Sequence, residues 1–177
     1  MRILQSVLLI GGISCSIARA QLYVLKDHRP DTTEDFFFLY DSVPQLVDSF
    51  FVELKFEDLA SIKKFVPKMK YLKATFDTLA IDYKLDQVVV RQQVFLKNLQ
   101  KQYRKIIKHA EKNRLRLKQL VRGETNYNFG KDEKGNEFCY VAVICFKRKK
   151  KYELKYVAIR LNGKWFLGDE LTFEHVE

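Results

Sequence analysis

The chain has 177 residues, with 32 lysines and arginines against 22 aspartates and glutamates, for a formal charge of +10. That length favours one domain with room for one real core, and three cysteines exclude a disulfide-dense scaffold. No Cys-x-x-Cys or His-Glu-x-x-His spacing and no glycine-rich nucleotide loop occurs, so neither a metal nor a cofactor is expected.

Residues 1–20 read as a secretory leader: Arg2, an apolar run from Ile3 to Ile13, then Ala18-Arg19-Ala20 before the cut. The run is shorter than the roughly 20 apolar residues that span a bilayer, and no second run of that kind follows. The expectation is export to the periplasm or the outside, with a working chain starting at Gln21. Losing Arg2 and Arg19 leaves 32 − 2 basic residues against 22 acids, or +8. Gly12-Ile13-Ser14-Cys15 resembles part of a bacterial lipobox, which would make Cys15 a lipid anchor, although Gly12 stands where that pattern wants a large aliphatic. The Ala20-Gln21 junction is similar to those of secreted Bacteroidetes proteins.

Residues 21–41 carry Pro30, charges and little periodicity, and read as a tether whose Phe36–Tyr40 end docks on the core. The domain is expected over 42–177, with helices in 42–113 and an antiparallel sheet in 115–176. Ser42-Val43-Pro44-Gln45 has capping-box spacing, and Val43, Leu46, Val47, Phe50, Phe51 and Leu54 follow as one helix face. A short helix carrying Leu59, Ile62, Phe65 and Val66 is expected to stop at Pro67, and Met69, Leu72, Phe76 and Leu79 continue as a third segment. Asp86 can cap a long helix whose buried stripe is Val88, Phe95, Leu99, Tyr103, Ile106 and Ala110, with Asn113 as its left-handed end.

Leu115 and Leu117 open strand character, and Gln119 to Phe129 makes a polar-faced strand. Glu137 to Lys147 is apolar on both faces and belongs at the centre of a sheet. Its Cys139 and Cys145 lie about 20 Å apart in a straight strand, too far to pair, and read as buried thiols. Tyr152 to Leu161, the turn Asn162-Gly163, and Lys164 to His175 complete four strands. Helices first and a meander afterwards predict an α+β fold in which N-terminal helices cover one side of a bent four-stranded antiparallel sheet.

That order, closing on Asn162-Gly163-Lys164-Trp165-Phe166-Leu167, resembles the nuclear transport factor 2-like (cystatin-like) superfold. The resemblance implies a cone with a pocket between helices and sheet, and members include isomerases, dehydratases and noncatalytic binders. Trp165, Tyr140, Tyr156 and Phe95 are candidates to line such a pocket. Asp169 is the catalytic candidate, a carboxylate among apolar side chains if the last strand runs unbroken, and a solvated turn residue if Gly168 bulges it. Tyr127 and His109 are further polar groups of the type such pockets use, while His28 and His175 are expected to be exposed.

The charge is uneven. Eleven basic residues lie between Arg91 and Arg122, and Lys97, Lys101, Arg104, Lys105 and Lys108 share the exposed side of the long helix. Lys147 to Lys151, with Lys149 and Lys150 at its centre, are five consecutive cations between two strands. A solvated helix face and hairpin tip, or a contact with an anionic surface, both fit. Three functions follow in falling order: a noncatalytic binding module for a small apolar ligand or an envelope protein, a small isomerase, dehydratase or hydrolase using Asp169, and a basic envelope-surface binder. A homodimer is compatible with each; nucleic acid is not expected as a partner of an exported chain.

Overall fold

The computed structural model describes residues 39–78, 84–168 and 170–176. The leader with Cys15, His28 and most of the tether lie outside the described residues, as does Asp169. Helix α1 is Val43–Phe56, capped by the Ser42 hydroxyl, which accepts from the Gln45 N–H at 3.5 Å. Gln45 completes the box differently from the reciprocal motif: its Oε1 accepts the Asp41 N–H at 3.1 Å, one residue upstream of the cap. The predicted stripe from Val43 to Leu54 is buried.

The short second helix is instead a single 3₁₀ turn, Ser61–Phe65, which buries Ile62 and Phe65 and ends before Pro67 can remove a hydrogen bond. Helix α2 is Met69–Thr78 and helix α3 is Leu85–Lys112. The α3 stripe is as expected, with Val88, Leu99, Tyr103, Ile106 and Ala110 buried and Phe95 half-buried. Its ends differ. Lys84 occupies the cap position, and Asp86 sits in the first turn, where its charge favours the helix dipole without capping. Asn113 has φ −91°, its side-chain amide donates to the His109 carbonyl at 2.8 Å, and the left-handed conformation falls on Arg114 at φ 52°. Leu115 and Leu117 do not open a strand. Leu117 begins a second 3₁₀ turn, Leu117–Gln119, held to α1 by its N–H donating to Glu57 Oε1 at 3.2 Å, and both leucines are buried.

Strands β1 Val121–Lys131, β2 Glu137–Lys147 and β3 Lys150–Leu161 form an antiparallel meander. Asn162 and Gly163, at φ 47° and 76°, make the left-handed hairpin turn that their sequence predicts. The expected last strand is two pieces, β4 Lys164–Leu167 and β5 Thr172–Val176, both paired with β3. Leu167 lies opposite Ala158 and Thr172 opposite Lys155, so of β3 only Tyr156 and Val157 fall between the two pieces. Gly168 opens this break, its N–H donating to the Val157 carbonyl at 2.6 Å, and Glu170 follows at φ 69°. The sheet therefore has five strands rather than four, and the alternation assumed from Trp165 to His175 is interrupted.

One sheet face carries Cys139, Val141, Val143 and Cys145 of β2 with Tyr152, Leu154, Tyr156 and Ala158 of β3, packed against α1 and α3. Helices were expected on that side alone. In fact Tyr71 and Leu72 of α2 and Val88 of α3 cover part of the opposite face, against Val157, Ile159, Leu161 and Phe166. Covering both faces is what buries the consecutive run Tyr156–Ile159. Farther along that second face, the rings of Phe146 and Phe138 lie over Gly123 and Gly130 of β1, where a Cβ would come within 2.5 and 2.6 Å of them.

Candidate functional site

Phe129 on β1 and Trp165 on β4 are separated by β2 and β3, about 14 Å of backbone in a flat sheet. Their rings nonetheless meet edge to face at 5.9 Å. The register explains how: Phe129 lies opposite Cys139, and Cys139 opposite Ala158, so two small side chains leave room for the large ones to lean together as the sheet bends. Trp165 is 6% exposed, and its backbone N–H donates to the Tyr40 carbonyl at 2.9 Å. Tyr40 thus bridges to β4, while Phe36 to Phe38 of the expected docking stretch lie outside the described residues. The helix beside Trp165 is α1, which lies against β4, whereas α3 with Phe95 lies against β5.

Along β1 the concave face is open. Tyr127 and Phe129 stack at 6.4 Å between centroids and are 38% and 61% exposed. Arg122 of β1 ion-pairs with Asp48 of α1 across the same side. Behind them Tyr156 lies in the row Tyr127, Val141, Tyr156. It is 2% exposed, its ring meets Phe50 edge-on at 5.4 Å, and its hydroxyl has no hydrogen-bond partner among the described residues. Burial, reinforced by the neighbouring Tyr127, pushes the Tyr156 phenol well above its ordinary value. Burial likewise raises Tyr103, whose hydroxyl donates to the Glu53 carbonyl at 3.3 Å, and pushes the thiols of Cys139 and Cys145 up to about 11 and about 12. These groups stay protonated at neutral pH. The face can stack rings; these phenols and thiols supply neither a base nor a thiolate.

Of the predicted pocket residues, Trp165 and Tyr156 share the concave face, and Phe95 packs at the margin of the same core. Tyr140 does not join them: it lies opposite Val157, on the other face, 37% exposed and edge-on to Phe138. Phe129 was missed. Its signal was the alternation Thr125, Tyr127, Phe129, hidden by the polar residues between them. Cys139 and Cys145 are free and buried, as expected. His109 is half-buried against Phe173, and His175 is exposed beside Tyr152. The reading of Asp169 as an acid or base lies outside the described residues.

The cations fall into two groups. Lys97, Lys101, Arg104, Lys105 and Lys108 form an exposed row on α3. Beyond its end, Asn113 and Arg114 meet the β2–β3 hairpin tip, including Lys149 and Lys150, around a cleft of about 370 Å³. Among the described residues, no group of three or more histidines, cysteines and carboxylates is placed to hold a metal, and no helix is long and apolar enough to cross a membrane. Comparison of the chain with protein families, curated proteins and solved structures found no match.

Proposed function

We propose that the chain is an exported, noncatalytic binding module of nuclear transport factor 2-like type, whose ligand or partner lies along the open side of the concave face. The observation that carries this reading is the exposed Tyr127–Phe129 stack, whose Phe129 ring also meets Trp165 edge to face. Large aromatic side chains left in water forfeit transfer free energy. An apolar or aromatic group stacked on them would recover it. The helix-then-meander order and the Asn162-Gly163-Lys164-Trp165 turn support the superfold, and the Arg2-to-Ala20 pattern supports export.

Trp165 is the only tryptophan, so its emission reports on this face. Titration with Nile red, a neutral aromatic dye, is expected to quench Trp165, and Phe129→Ala to weaken the quenching about tenfold without unfolding the protein. Equal quenching in both proteins would overturn the reading.

A further inference from the structure

Away from the concave face, the geometry points to a second site: the cleft between the C-terminal end of α3 and the β2–β3 hairpin tip is a binding site for a phosphate-bearing ligand. Arg114, Lys147, Arg148, Lys149 and Lys150 all line it, with Asn113 beside them and no carboxylate among the lining residues. The cleft of about 370 Å³ falls within the roughly 300–1,000 Å³ of small-molecule sites.

Three features make this more than a solvated run of charge. Arg114 and the hairpin cations are 33 or more residues apart in sequence, and the Lys147 Nζ donates to the Arg114 carbonyl at 3.3 Å, fastening one wall to the other. That bond, with Asn113 and Leu115 N–H groups donating to Ala110 and the Arg114 N–H to Glu111, occupies carbonyls at a helix end that would otherwise repel an anion. Among the described residues, none of Arg114, Arg148, Lys149 and Lys150 is in an ion pair. Finally, Arg114 and Arg148 sit at φ 52° and 55°, where glycine or asparagine is favoured, and Arg148 opens a two-residue hairpin turn. Like charges are gathered, and two of them stand on unfavourable backbone. An anion with several charged oxygens offsets the repulsion, and guanidinium groups bind phosphate through paired N–H donors.

The ligand is therefore a phosphate ester or polyphosphate, supplied free or as a lipid headgroup. The test titrates purified protein, at about 0.15 M salt, with sodium tripolyphosphate by calorimetry. In parallel, phosphatidylglycerol vesicles are tested by sedimentation against phosphatidylcholine vesicles. Two variants carry equal charge loss: Arg114→Gln with Arg148→Gly in the cleft, and Lys97→Gln with Lys101→Gln on the α3 row, at least 12 residues or about 18 Å of helix away.

The cleft variant is expected to lose tenfold or more in affinity and the helix variant much less. Tripolyphosphate binding alone identifies a free phosphate, and phosphatidylglycerol binding alone a headgroup; either supports the site. Because glycine suits φ 55°, Arg148→Gly alone should unfold at the same temperature as the parent or higher while still weakening binding, which separates recognition from folding. No binding to either probe, or equal loss in the two double variants, would overturn the proposal.

Discussion

Tyr156→Phe removes one oxygen from the centre of the core and leaves the ring in place. The ring is 2% exposed and holds Phe50 edge-on at 5.4 Å, so the packing that it supplies is retained. The hydroxyl has no partner among the described residues, and taking such a group out of water costs about 1–3 kcal/mol. The ligand-free variant should therefore be more stable than the parent by about 1 kcal/mol or more. For a chain of this size each kcal/mol moves the Tm by roughly 2–4 °C. Thermal unfolding followed by circular dichroism measures it directly. A loss of stability of about 1 kcal/mol would show that the hydroxyl is already satisfied within the protein.

Trp165→Ala should cost about 3–5 kcal/mol, a large share of the roughly 5–15 that holds a domain, whereas Phe129→Ala should cost under about 1 kcal/mol; urea titrations that reverse this order would refute the packing. Gly168→Ala places a Cβ 2.9 Å from the Val157 carbonyl oxygen, a backbone atom that cannot step aside, and should cost about 1–3 kcal/mol, more than Gly123→Ala, where the nearest obstacle is the Phe146 ring at 2.5 Å and the backbone oxygen of Ile144 is farther, at 3.3 Å. The thiols give a pH dependence. Cys139 and Cys145 titrate near 11 and 12 when folded but near 8.5 when unfolded, so above that pH the unfolded chain gives up protons first and stability falls as pH rises. Cys145→Ala should flatten that fall by about 1.4 kcal/mol per pH unit between roughly pH 9 and 11, and an unchanged slope would show that the thiol is not the cause. N-terminal sequencing of protein from its own host should begin at Gln21; a start at Met1 would refute the cleavage.

Much of the architecture was legible because it follows from periodicity. The α1 and α3 stripes, the β2 bounds and the Asn162-Gly163 turn each rest on a local pattern that no distant contact overrides. The failures have a common origin in long-range packing. Leu115 and Leu117 alternate like a strand but are drawn into the α1 core by the bond to Glu57. The break between β4 and β5 depends on how the two meet β3, which Gly168 alone only hinted at. Tyr140 and Tyr156 were grouped as aromatics, and only strand register reveals that they face opposite ways. The basic cleft was invisible as a unit, because Arg114 joins the hairpin lysines only once α3 ends beside the tip.

The central claim is that the open concave face holds a ligand or partner through its aromatic stack. Native mass spectrometry of protein purified from its own host, parent beside Phe129→Ala, tests it most directly. The account predicts an added mass on the parent that is lost or much reduced in the variant. A parent chain of bare mass, or the same added mass retained in both, would contradict it.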